Sequence, residues 1–579
     1  MGKSEPSPLD LFNAPTPAPK RFVARTGRTL TALVAFGLAA CATVHFTGIA
    51  KAYIPRSDPS LVCKQADPLV PSAVLRADLD ALYASDGFLN KSVELLGGAV
   101  RIPTVTYDDM YDPLEDPRWA PFTDFHVYLK DEFPLLHSTL SLDKVNSYGL
   151  VYTWEGSNKD LKPVLLTAHQ DVVPVEQETV DMWYEKPFSG SYDGEYVWGR
   201  GSCDDKSALI AIMITLETLI DKGFTPQRTI VLAFGQDEEI GGKNGARFIG
   251  QHLLEKYGED SFSLLIDEGG GFQEDYGLLT AYVGVMEKGY LDVEVQVESP
   301  GGHSSIPPPH TSIGILAGLI VEAENHPDKP VLTRDSTAFA SLQCQAVHAP
   351  DMPDWIRREI QKAETNDWAL SNVEEFLVQD PMFHALLSTT QSVSVIGGGI
   401  KANVLPEEAW AIINHRIATY SSVGTLMDRI TSIATRVAHR YNVSLSAFGE
   451  EVWAAAGSPG GRMIISEAFN SALEPAPRTP TNSWAEPYQL LMATIRAVLL
   501  GSGVHTDVIV SPGMLPGNTD TKHYWGLTRH IFRYNHLSYN DLYNGVHTIN
   551  EALRATALPD VVQFYTYLIL NADESTLLD

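Results

Sequence analysis

Three apolar runs in this chain each end in a histidine or in adjacent acids: KPVLLTAHQD from Lys162, RTIVLAFGQDEE from Arg228 and SLLIDEGGG from Ser263. Short apolar runs closed by polar residues predict strands buried on both faces. Between the first two, KSALIAIMITLETLIDKG from Lys206 has helical length and period. Strand, helix and strand make a βαβ unit, which requires a largely parallel sheet with covered faces. In such sheets ligands collect beyond the carboxyl ends of the strands. His169, Glu238 and Asp267 all fall there.

The pattern changes near Gly289. YLDVEVQVES alternates strictly, as a strand with one wet face does, and AWAIINHRI reads as another strand. ILAGLIVEAENH and TLMDRITSIATRVAHRYN read as amphipathic helices. After proline-rich breaks, a helix (WAEPYQLLMATIRAVLL) and a strand (DVIVSPGML) return to the first pattern. The expected fold is therefore α/β, a mixed, largely parallel sheet in residues 85–288 and 451–579. It is interrupted by a smaller α+β domain over 289–450, and no internal repeat is evident.

The amino-terminal end has a different character. Residues 1–28 read as a disordered tail on the cytosolic side. From Thr29 to Ala50 the chain carries no charged residue, about the ~20 residues that span a bilayer. Lys20, Arg21, Arg25 and Arg28 form the heavier basic flank, which predicts a single-pass type II anchor at 29–50 with the folded part lumenal. The competing expectation is cleavage near Ala50-Lys51-Ala52, giving a secreted protein. A linker over 51–84 follows, and Asn90-Lys91-Ser92 and Asn442-Val443-Ser444 are glycosylation sequons. The 42 basic against 72 acidic residues, a formal charge of −30, exclude nucleic acid as the main partner, because phosphate recognition needs clustered positive charge. Cys41, Cys63, Cys203 and Cys344 lack metal-knuckle spacing and permit at most one or two bridges.

Five short segments carry candidate chemistry. His169 and Asp171 of HQDVVP lie two apart at a strand end and can face one site, with Asp171 fixing the imidazole tautomer. Asp204 and Asp205 of GRGSCDDK lie between a glycine turn and a helix start, where they read as a helix cap and first-turn acid or, for Asp204, as a carboxylate shared by two metal ions. Asp237, Glu238 and Glu239 crowd three acids after a strand, which is costly without a cation. Asp267 follows an apolar run directly. His547 and Glu551 of GVHTINE stand at helical i, i+4 spacing, suited to a ligand and its support. Each has a structural explanation alone, but together, with histidine and carboxylates and no thiolate, they suit a catalytic zinc site.

These segments, in this order and with GGHSS, resemble the aminoacylase/carboxypeptidase family of dinuclear zinc hydrolases. GRGSCDDKSALIA and GNTDTKHYWGLTRHIFRYNH bring the likeness closer to the fungal carboxypeptidase S group, the Gly-X carboxypeptidases. The resemblance implies two zinc ions, with Asp204 bridging, His169 and Asp267 completing one site, and Glu239 and His547 the other. It implies Glu238 as general acid/base, Asp171 as the residue orienting His169, and a cis peptide between Asp204 and Asp205. His303 matches a position of the smaller, lid and dimerisation domain that stabilises the oxyanion, in some relatives across a homodimer, and Asn403 and Arg416 match positions there that help hold the substrate carboxylate. The stretch 326–388 departs from compact relatives by adding helices.

The expected activity is a zinc metallo-carboxypeptidase that releases the C-terminal amino acid of dipeptides or short, possibly N-blocked peptides. The alternatives are an N-acyl-amino-acid hydrolase of aminoacylase type and a membrane-anchored receptor or scaffold on the same fold. Vacuolar delivery is implied by the fungal likeness alone.

Overall fold

The structure is a computed structural model that describes residues 62–457, 460–576 and 578. The expected tail 1–28, the anchor 29–50 and the start of the linker lie outside these residues. Among the described residues no helix is long and apolar enough to cross a membrane. That finding overturns the single-pass membrane placement expected above, and the placement is set aside. The long apolar helices that are present, Lys206–Asp221 and Ala557–Glu574, bury their apolar residues inside the protein instead.

Eight strands form the larger sheet in the order Ser141–Val145, Gly149–Trp154, Ile230–Gly235, Val164–His169, Leu264–Asp275, Ile531–Ser538, Leu278–Glu287, Val508–Leu515. Val164–His169 runs parallel to both neighbours, with Leu166 opposite Leu232 on one side and Ile266 on the other. Val164–His169 and Ile230–Gly235 are buried at every position, as their uninterrupted apolar sequences require. The crossover helix Lys206–Asp221 is buried continuously from Lys206 to Leu216 because a second helix, Ala557–Glu574, packs against it. The mixed, largely parallel α/β sheet matches the sequence expectation.

A second sheet has six strands in the order Thr390–Gly398, Glu408–Ile417, Gly289–Glu298, Arg462–Glu467, Ser444–Ala447, Glu450–Trp453. The alternating Leu291, Val293, Val295 and Val297 meet Ile315 and Leu319 of helix Ser312–Glu324 and Ile430 and Val437 of helix Val423–Tyr441 in a separate core. Since Arg462–Glu467 pairs with Gly289–Glu298, the boundary expected at 450 falls inside this layer.

The added stretch folds as helices Thr337–His348, Asp354–Ala363, Asp367–Leu377 and Pro381–Leu387. Their core, with Phe339, Leu342, Ile356 and Val373, includes Leu278 and Ile509 of the larger sheet. A disulfide between Cys63 and Cys344, separated by 281 residues, ties the start of the described chain to the first of these helices. Closing so long a loop removes unfolded-state entropy worth about 3–5 kcal/mol. The double variant Cys63→Ser/Cys344→Ser is expected to lose stability of that order in denaturant unfolding. An unchanged midpoint would contradict a stabilising bridge.

Candidate metal centre

Five segments converge on one cluster: the carboxyl ends of Val164–His169 and Ile230–Gly235, a bulge within Leu264–Asp275, and the turns that carry Asp204 and His547. His169 closes its strand, and its Nδ1 lies 3.0 Å from the Asp171 backbone oxygen and 3.3 Å from Asp171 Oδ1. A proton held on Nδ1 leaves Nε2 as the free lone pair, aimed at the cluster. Nε2 is 3.0 Å from Asp204 Oδ1 and 3.6 Å from Glu268 Oε1. The other Asp204 oxygen, Oδ2, is 3.0 Å from His547 Nε2, which lies 3.2 Å from Glu239 Oε1. One carboxylate thus presents each oxygen to a different histidine, across the cis peptide that joins Asp204 to Asp205.

The buried Asp171 carboxylate does more than face His169. It accepts from Thr106 Oγ1 at 2.7 Å and from the backbone N–H groups of Glu238 and Glu239 at 3.0 and 3.1 Å. It therefore sets the turn on which both glutamates stand. Glu551 has the same function for the other loop. Wholly buried and paired with Arg200 at 2.5 Å, it accepts from the N–H groups of Gly201 and Cys203 at 3.0 Å each. Cys203 is a buried free thiol. His547 and Glu551 are not on a helix as their spacing suggested. Asn544, Gly545, His547 and Asn550 all have positive φ, and a left-handed turn lets His547 face the cluster while Glu551 lies beneath it.

The strand Leu264–Asp275 departs from the sequence reading. Asp267 is buried, accepts from Thr167 Oγ1 at 2.6 Å, and pairs in register with Arg533. The next paired residues are Tyr534 and Gly270, so Glu268 and Gly269 form a bulge. This bulge turns Glu268 toward His169 and places Glu268, rather than Asp267, within ligand distance of the cluster. The apolar run pointed to the first acid after it; no periodicity announces a bulge.

The electrostatics fit a cation site. Burial pushes the carboxyls of Asp205, Glu238, Glu239 and Asp267 above their ordinary range, and Glu268 to about 8. The charge on Glu268 adds to the rise at Asp205 and Glu238. Asp204 is held below the usual range by its bonds to both histidines, against its burial, while Asp204 and Glu239 push His547 up to about 10. Both oxygens of Asp205, whose carboxylate groups with His169 and Glu268, are buried without a hydrogen-bond partner. Crowded acids and orphaned oxygens are what a divalent pair compensates. The donor set of imidazole nitrogen and carboxylate oxygen suits zinc.

The three other expected residues lie on the smaller layer. His303 and Asn403 are exposed at a separate two-stranded ladder of Gly302–His303 and Val404–Leu405, where His303 pairs with Val404 and the Ser304 N–H donates to the Asn403 carbonyl at 3.3 Å. No contact among the described residues joins them to the cluster. Arg416 lies with its guanidinium 4.5 Å from the Tyr290 ring centre and donates to Asn518 Oδ1 at 3.0 Å.

A family model, peptidase family M20/M25/M40, matches residues 165–571. The chain is 39% identical over 520 residues to carboxypeptidase S of Saccharomyces cerevisiae, covering 88% of this chain and 89% of that protein. It is 32% identical over 488 residues to an N-fatty-acyl-amino acid synthase/hydrolase of Mus musculus, covering 83% and 87%. Human carnosine dipeptidase 1 shares the fold, with a TM-score of 0.58 at 14% identity over 87% of this chain and 100% of that one.

Proposed function

This chain belongs to peptidase family M20/M25/M40 and is a metallo-carboxypeptidase, and we propose that it works with two zinc ions on dipeptides or short peptides that carry a free C-terminal carboxylate. The observation that carries the reading is Asp204, whose two oxygens each face a different histidine at 3.0 Å. Asp204 would be shared by the two ions, His169 and Glu268 would hold one of them, and Glu239 and His547 would hold the other. Bound there, the metal pair supplies a water of lowered pKa and an electrophile for the scissile carbonyl. Glu238, placed by the Asp171 carboxylate, would serve as the general base toward the attacking water and return the proton to the leaving amine. Its burial favours the protonated form it must adopt in mid-reaction. Arg416 pairs with the substrate carboxylate in a bidentate manner and so selects chain ends over internal bonds.

The mouse relative supports a second substrate class, the N-acyl amino acids, which share the same amide and the same free carboxylate. Purified protein loaded with zinc is tested side by side on Gly-Leu-type dipeptides, N-blocked dipeptides, fatty-acyl amino acids and a C-terminally amidated dipeptide. Release of the C-terminal amino acid from the carboxylate-bearing substrates, with little from the amide, is expected. Failure on every carboxylate-bearing substrate sinks the reading.

The exposure of the two-stranded ladder supports a homodimer in which His303 and Asn403 of one subunit complete the site of the other. Mixing inactive His303→Ala and Glu238→Ala proteins under conditions of subunit exchange is then expected to restore up to about a quarter of wild-type activity, since half the dimers are mixed and each has one intact site. If His303 acts within its own subunit, mixing restores nothing.

A further inference from the structure

Between Glu287, the last residue of a larger-sheet strand, and Gly289, the first of a smaller-sheet strand, Lys288 is the crossing point from one layer to the other. It is pinned from two directions. Its ammonium donates to the carbonyls of Ala385 and Ser388 at 2.8 Å each, and its own carbonyl accepts from Asn518 Nδ2 at 2.6 Å. The same Asn518 side chain accepts from Arg416 on the smaller layer through Oδ1.

The loop that carries Asn518 is rigidly held. The Thr519 N–H donates to Glu287 Oε1 at 2.8 Å, and Thr521 Oγ1 donates to Glu287 Oε2 at 3.1 Å. Glu287 is paired with buried Arg533 at 2.7 Å. A single amide, fixed to the larger sheet, therefore contacts both the crossing point and the guanidinium. Tyr290, two residues beyond the crossing, supplies the face on which that guanidinium lies. On its own strand Tyr290 is held by its hydroxyl donating to Asp292 at 2.5 Å, and it stands opposite Arg416 in register.

We propose that Asn518 is a positioning residue for substrate recognition: its amide bridges Lys288 and Arg416, fixing the guanidinium on Tyr290 so that its remaining N–H groups are presented to a substrate carboxylate. This rests on the assignment of Arg416 as the carboxylate grip. A flexible arginine loses rotamer freedom when it binds, and one held in place beforehand loses less. Asn518 therefore acts on binding of the carboxylate and not on the chemical step.

Two substitutions, a truncation and a near-isosteric charge change, separate this role from a merely structural one. Both Asn518→Ala and Asn518→Asp remove the donor to the Lys288 carbonyl, but only the aspartate places a negative charge against Arg416, where it competes with the substrate. With zinc-loaded protein and a dipeptide substrate, Asn518→Ala is expected to raise KM about three- to tenfold, with kcat within about threefold. Asn518→Asp is expected to raise KM more than the alanine variant does, by at least about tenfold over wild type. The proposal is overturned if KM stays unchanged in both, if the aspartate is no worse than the alanine, or if the loss falls on kcat. Arg416→Ala, assayed in parallel, separates the two ideas. If it leaves KM unchanged, the carboxylate assignment fails; if it raises KM while neither Asn518 variant does, the positioning proposal alone fails.

Discussion

Asp204→Asn is expected to fold and yet retain neither zinc equivalent. The change is isosteric, so the loop held by Glu551 keeps its N–H partners. An amide offers one oxygen and an NH2 group that cannot ligate, and it lacks the charge that both cations would share. With the electrophile and the activated water gone together, hydrolysis should fall by roughly a thousandfold or more. The neighbouring acids should behave differently, and the contrast is what tests the geometry. Glu268→Gln, at the bulge beside His169, should lose one equivalent and most activity. Asp267→Asn should keep both, because Asp267 bonds Thr167 and not the cluster; its effect should appear as lowered thermal stability. If Asp267→Asn loses metal while Glu268→Gln does not, the bulge has been misread. All three readouts use metal content by atomic absorption alongside the melting temperature.

Glu238→Gln should give the complementary result, full metal content with turnover reduced by roughly 10²–10⁴-fold, the range for removing a positioned acid–base group. KM should change little, since Glu238 handles a proton and does not hold the substrate. The residual rate should also lose the pH limb that reports ionisation of the base. A variant that keeps most of its kcat would assign the proton transfer elsewhere. Loss of metal in this variant would make Glu238 a ligand instead.

The sequence makes the framework legible where a single local rule suffices. Apolar runs buried on both faces predict Val164–His169 and Ile230–Gly235, and strict alternation predicts Gly289–Glu298 with its valines inward. His169, Asp204, Glu239 and His547 stand at loop ends that those elements bring together, so the grouping is readable even though each residue is ordinary alone. What remains hidden depends on departures from periodicity or on distant partners. The bulge at Glu268 changes which of two adjacent acids faces the site, and the positive φ at His547 replaces an expected helix by a turn. Amphipathic helices announce a buried face but not its partner, so the docking of Thr337–His348 and its neighbours on the larger sheet is visible only in the fold. Four cysteines likewise do not declare that Cys63 and Cys344 pair. Asn518 belongs with these, because its meaning comes from Lys288 and Arg416, over a hundred positions away.

Titrating demetallated protein with zinc while following release of the C-terminal amino acid tests whether Asp204 organises a two-metal hydrolytic centre. The expected result is tight uptake that ends at two equivalents per chain, with hydrolysis absent at the start and complete when the second equivalent is bound. Full hydrolysis by the metal-free protein, or uptake that ends at one equivalent with full activity, would contradict it.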